Sequence, residues 1–201
     1  MLEAESLTGG FAQPVFEAQS VFRAVMDGMA RPGTHQTVAV SLHPPAPFGL
    51  AQAAIALTLC DADTRVWLSG GLGKSPAPAW LSFHTGAVTT TDKTEAQFAF
   101  FEAGSPLAAC AQFSTGTQDY PDRSVTVVYE VAGFEGGQSL ALKGPGIQDR
   151  TMIAPLGLPD GFLRHWQDNH ALFPRGVDVI FTAGRDFLCL PRSCAILSGE
   201  A

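Results

Sequence analysis

The stretch SVTVVYEVA, Ser124 to Ala132, has the strongest β-composition in the chain. Its β-branched and aromatic residues fit a pleated, half-buried surface. Gly133 to Gly137 follows, then residues 138–143, so the expected arrangement is an antiparallel hairpin. The second arm runs into LALKGPGIQDRTMIAP, Leu140 to Pro155. Leu140 and Leu142 alternate there with Ala141 and Lys143, and Gly144-Pro145-Gly146 breaks the strand. A strand that ends in a rigid glycine turn beside a lysine can form a small anion pocket. A plain structural corner accounts for the same residues, because Gly-Pro-Gly is ordinary turn chemistry. Further on, Val177 to Thr182 and Phe187 to Leu190 form a second hairpin around Ala183-Gly184-Arg185-Asp186.

Helices dominate upstream. From Ala18, the residues Val21, Phe22, Val25, Met26 and Met29 form an apolar stripe at helical spacing, closed by Arg31-Pro32-Gly33. Residues 34–42 alternate weakly as an edge strand, and His43 to Pro47 is a rigid connector. Residues 48–60 are an alanine-rich helix, apolar nearly all round and therefore buried on more than one side. Thr64 to Ser69, 87–91 and 96–101 are strands, Trp80 to His84 is a short helix, and Ser105 to Phe113 is a second small apolar helix. A last helix follows Pro159, with Phe162, Leu163 and Trp166 inward. Helices alternating with strands early, and hairpins late, predict an α/β protein with a mixed β-sheet flanked by helices. One domain spans residues 1–201, with 1–10 and 195–201 as loose ends.

Composition bounds the partners. Of 201 residues, 46% are hydrophobic and 15% charged, so there is ample core and some surface to bury against another chain. A net charge of −7 with three lysines argues against nucleic acid. The N-terminus has no signal-peptide pattern, and the apolar run Leu50–Leu59 is too short to span a bilayer, so no membrane association is expected. Cys60, Cys110, Cys189 and Cys194 include no CxxC and read as reduced, mostly buried thiols of a cytosolic protein.

The chemistry-bearing motifs are incomplete. Ser69 to Ser75, SGGLGKS, imitates a phosphate-binding P-loop, but Leu68 stands where that motif needs glycine. A glycine-rich strand-to-helix loop is the better account. His165 and His170 are five apart on a helix and point to different faces, and no HExxH occurs, so no metal site is expected. There is no GxSxG or GxGxxG, and no catalytic residue is assigned. Candidate anion or cleft contacts are Lys143, Arg150, Arg175, Asp178, Arg192 and His84. For Arg175, Asp178 and Arg192 a structural ion pair or subunit contact is the favoured role, and for His84 an interaction with its own helix end.

The ordered segments add up to a family. They are Phe22-Arg23, Met26, Met29-Ala30-Arg31-Pro32-Gly33, Leu57 to Thr64, Val66 to Ser69 and Phe83-His84-Thr85. They continue with Ser114 to Thr117, Leu142 to Ile147, Met152 to Pro155, Phe173 to Asp178 and Leu190-Pro191-Arg192. Together they resemble the PhnH family, the H subunit of the bacterial carbon–phosphorus lyase system of phosphonate metabolism. The likeness runs from about Phe11 to about Arg192. It implies a fold like the large domain of pyridoxal-phosphate-dependent transferases without that cofactor. It also implies a cytoplasmic homodimer that joins G, I, J and K subunits. Its implied function is a structural or accessory part in forming α-D-ribose 1-methylphosphonate 5-triphosphate from ATP and methylphosphonate, with release of adenine. No cofactor is implied for this subunit, and no cysteine pattern here suits an iron–sulfur cluster. The competing expectations are a stand-alone phosphonate- or nucleotide-binding enzyme, with Lys143, Arg150, Arg175 and Arg192 lining its cleft, and a degenerate pyridoxal-phosphate enzyme.

Overall fold

The computed structural model describes residues 8–106 and 110–197. Its helices are α1 (Pro14–Ala30), α2 (Leu50–Leu59), the one-turn α3 (Gly70–Gly73), α4 (Ala77–Thr85) and α5 (Phe162–His170). The strands are β1 (Gln36–Thr37), β2 (Arg65–Leu68), β3 (Val88–Thr89), β4 (Phe98–Phe101), β5 (Thr126–Glu130), β6 (Leu140–Lys143), β7 (Thr151–Ile153), β8 (Asp178–Ala183), β9 (Asp186–Leu190) and β10 (Ala195–Leu197). The result is an α/β protein with a mixed sheet flanked by helices. A seven-stranded sheet has the order β1-β9-β8-β5-β4-β2-β3, and a three-stranded antiparallel sheet has the order β10-β6-β7. In the large sheet, β3, β2, β4, β5 and β8 run parallel, while β9 is antiparallel to β8 and to β1.

The expected hairpin from Ser124–Ala132 into 138–143 does not form. β5 is flanked on both sides by parallel neighbours, β4 and β8, so no edge is left for β6. The reason is visible in β5 itself, where Val127, Val128 and Tyr129 are consecutive and all buried. A strand apolar on both faces belongs in the middle of a covered parallel sheet. The β8–β9 hairpin forms with Phe181 opposite Leu188, around the expected turn.

Alternation along the central strands feeds two cores. Val66, Phe100, Val128 and Ile180 face α1, α2 and α4. Ala99, Phe101, Val127, Tyr129 and Phe181 face α5 and the small sheet. The step from β2 to β3 goes one way across the sheet, and the steps β4 to β5 to β8 go the other. Right-handed crossovers then put the two sets of connections on opposite faces.

Several boundaries differ from expectation. α1 begins at Pro14, four residues before Ala18, because proline suits a first helical turn. Its apolar stripe divides: Val21 and Val25 are buried, while Phe22 and Met26 are exposed. The small helix expected over 105–113 is a 3₁₀ turn at Cys110–Gln112, and residues 107–109 of that expectation lie outside the described residues. Of the ends expected to be loose, residues 8–10 and 195–197 are described. Trp80 Nε1 donates to the Thr8 carbonyl at 2.8 Å, and Trp166 Nε1 donates to the Cys194 carbonyl at 2.9 Å beside β10. A buried indole needs such an acceptor, and each one ties a chain end to the core. Residues 1–7 and 198–201 of that expectation lie outside the described residues.

Candidate functional site

Open parallel sheets form ligand crevices at the carboxyl ends of their strands, where the direction of winding reverses. Here the reversal falls between β2 and β4. A depression of about 470 Å³ opens there, lined by Trp67, Ser69, Lys93, Glu102 and Ser105. A second, of about 680 Å³, opens at the ends of β5 and β8, lined by His35, Glu130, Phe134, Gly184 and Asp186. Ala103 lines both, so one trench follows the carboxyl edge of the sheet.

Two carboxylates organise this trench. Glu102, just past β4, accepts the Gly71 N–H at 2.8 Å, the Leu72 N–H at 3.2 Å and the Ser69 hydroxyl. The amides of the SGGLGKS turn therefore already hold an internal anion. A side chain at Gly71 would collide with it, since a Cβ there would lie 2.5 Å from Glu102 Oε1. This is the physical reason the turn is a strand-to-helix loop: the position a phosphate would take in a P-loop is filled from within.

Glu130, the last residue of β5, accepts the Thr182 hydroxyl and the Gly184 N–H at 3.1 Å. Burial pushes its carboxyl above the usual range, and these two hydrogen bonds pull partly back. The Tyr129 hydroxyl donates to the Ser105 carbonyl. Burial, with the Glu102 carboxylate adding, pushes that phenol up to about 12. Lys93 Nζ lies 5.2 Å from the Trp67 ring centroid and donates to Gln112 Oε1 at 2.7 Å. Gln52, fully buried on α2, donates to the Phe101 carbonyl at 2.8 Å and fastens the helix to the strand end beneath. The trench can bind polar groups. Its hydroxyl nearest a carboxylate, Ser69, is 2% exposed and shaped for holding the turn. Among the described residues, no three His, Cys, Asp or Glu side chains group as metal ligands.

The residues singled out in sequence do not converge. Arg192 and Asp178 meet in a paired, half-buried contact at the amino end of β8. The Arg192 Nε donates to both Asp178 oxygens, at 3.1 and 3.2 Å, Nη1 donates to the Pro121 carbonyl at 2.6 Å, and Nη2 donates to Ser124 Oγ at 2.5 Å and to Asp178. Arg175 sits half-buried at the corner between α5 and β8. Lys143 is exposed at the end of β6, and Arg150 is exposed just before β7. His84 is on the opposite face of the large sheet, in the last turn of α4. It lies 4.7 Å from the Trp80 ring, and a Cβ on Gly10 would lie 2.7 Å from its Cε1. Asp149 and Arg150 form no ion pair among the described residues.

The Gly-Pro-Gly turn is a joint. A Cβ at Gly146 would lie 2.0 Å from the Ala30 carbonyl oxygen, and one at Gly33 would lie 2.9 Å from Leu142 Cδ1. The segment Leu142–Ile147 thus seats on Ala30-Arg31-Pro32-Gly33 at the end of α1. Two of the segments that carry the family resemblance interlock there, and two more interlock at Arg192–Asp178. The profile of the bacterial phosphonate metabolism protein PhnH matches residues 9–197. The chain belongs to the PhnH family. The subunit PhnH of α-D-ribose 1-methylphosphonate 5-triphosphate synthase from Rhizobium meliloti (strain 1021) is 55% identical over 191 residues, 95% of this chain and 96% of that protein. A putative C-P lyase subunit protein, HtxG, from Stutzerimonas stutzeri is 36% identical over 81 residues, 40% of this chain and 42% of that protein.

Sequence reasoning passed over Glu102 and Glu130 as site residues. A signal was there: each glutamate follows directly on an apolar strand, FAFF and TVVY, at the edge where parallel sheets bind ligands.

Proposed function

We propose that this chain is the H-type subunit of an α-D-ribose 1-methylphosphonate 5-triphosphate synthase, acting in organic phosphonate catabolism. The observation that carries this is 55% identity extending over 95% of the chain and 96% of the named subunit. The reaction joins methylphosphonate to the ribose of ATP and releases adenine. The chain's part in it is structural or accessory, with G, I, J and K subunits as partners in the cytoplasm and a homodimer when isolated. Its fold is of the kind seen in the large domain of pyridoxal-phosphate-dependent transferases. What supports an accessory role is the inward bonding of two charged groups that a cleft would otherwise present. Arg192 is taken up by Asp178 and Glu102 by the glycine turn, while Lys143 and Arg150 remain exposed for a partner or an anionic substrate. The test is co-expression with the other subunits and affinity purification through this chain. Stoichiometric recovery of the partners is expected, and purification of the chain alone would refute the reading.

A further inference from the structure

α1 has two apolar faces, and the fold uses one. Val21, Val25 and Gly28 are buried, and a Cβ on Gly28 would lie 2.9 Å from Cys189 Sγ of β9. Val15, Phe22 and Met26 lie along a second line, about a third of a turn away by helix periodicity. They are 78%, 48% and 54% exposed. At its N-terminal end this line runs into a groove of about 300 Å³ formed by Phe11, Pro14, Val15, Ala18, Leu57 and His84. Phe83, edge-on to His84 with ring centroids 5.0 Å apart, is 58% exposed, and Phe16 beside Val15 is 71% exposed. These five side chains leave on the order of 500 Å² of apolar surface in water. That is near the upper end for a patch on a monomer. It also matches the apolar share, about 65%, of the roughly 800 Å² each partner contributes to a standard interface.

Charge decides between occupants. Arg23 is exposed beside Phe22 and makes no ion pair among the described residues. Two copies of α1, packed antiparallel about the middle of the Val15–Met26 line, would bring their Arg23 side chains within roughly two turns of each other. Like charges so placed oppose self-pairing, and a carboxylate opposite Arg23 favours a different chain. We propose that the Val15–Phe22–Met26 face of α1, with the groove at its end, docks an amphipathic helix of a partner subunit that carries a carboxylate facing Arg23. This rests on the subunit reading above.

Phe22→Asp and Arg23→Glu variants, each co-expressed with the other synthase subunits and purified through this chain, test it. Both positions are exposed, so wild-type melting temperatures and unchanged sedimentation of the isolated chain are expected. Phe22→Asp lowers the recovered partners at least tenfold, and Arg23→Glu lowers them by a smaller, salt-dependent factor. Recovery of partners at wild-type levels by both variants overturns the proposal. So does a variant that keeps the partners while the isolated chain changes its oligomeric state, because the face then belongs to a second copy. If the wild-type chain recovers no partners, the subunit reading fails and this inference falls with it.

Discussion

Arg192 directs every guanidinium nitrogen inward, to Asp178, Ser124 and the Pro121 carbonyl, with 15% of its side chain exposed. Removing it would leave Asp178 without its cation and release the 117–124 loop. Arg192→Ala is expected to cost about 2–4 kcal/mol in denaturant unfolding, toward the range for breaking a buried pair. Glu130 makes the opposite kind of prediction. Its carboxyl is raised by burial, so the folded state holds the proton more tightly than the unfolded chain. Its contribution is therefore most favourable at low pH and is lost as pH rises from the ordinary value of 4.5 through the raised one. Glu130→Gln is expected to gain stability relative to wild type across that window and then level off, as read by unfolding at a series of pH values. A difference that is flat with pH would contradict the assignment. Arg192 and Asp178 each stood out in the sequence, with an ion pair or a subunit contact as the expected role, but nothing in the sequence named them as each other's partner. The glutamates were marked only by their place after apolar strands, and that their oxygens turn inward depends on the chain packed against them. The thiols of Cys60 and Cys189 are free and buried, in line with the reading of them as reduced and mostly buried, and burial chiefly pushes both up to about 12.

Among the elements, the glycine turns separate by what surrounds them. Gly146 has φ +81°, and a Cβ there would strike the Ala30 carbonyl, so the small sheet seats on α1 only with glycine at this position. Gly146→Ala is expected to cost at least about 1–3 kcal/mol from backbone strain alone. Gly70, in α3, would meet nothing within 4 Å, and Gly70→Ala is expected to be neutral or to stabilise by up to about 1 kcal/mol. Paired melting curves check the contrast, and equal losses would mean that the turns are not distinguished by their surroundings. Both glycine clusters were visible in the sequence. Which of them is crowded depends on the chain packed against it, and that is a tertiary fact. The same limit explains β5: its composition identified a strand, but its pairing was set by β4 and β8, distant in sequence. α1 was legible as a helix. Its sequence stripe proved to be two lines, one for the core and one left outward.

For the whole molecule, the α/β class and mixed sheet could be read from the alternation of helices with strands, and the family from the order of short segments along the chain. The position of the trench at the winding reversal could not, because it depends on strand order. Arg192, Asp178, Glu102 and Glu130 are engaged in holding joints, while Val15, Phe22 and Met26 of α1 stay exposed. Both features suit a subunit whose contribution is made in company. The most direct measurement is adenine release from ATP and methylphosphonate by the partner subunits, with and without this chain. Release that requires the chain together with its partners, and is absent with the chain alone, is the predicted result. Full-rate release without it, or release by the isolated chain, would contradict the account.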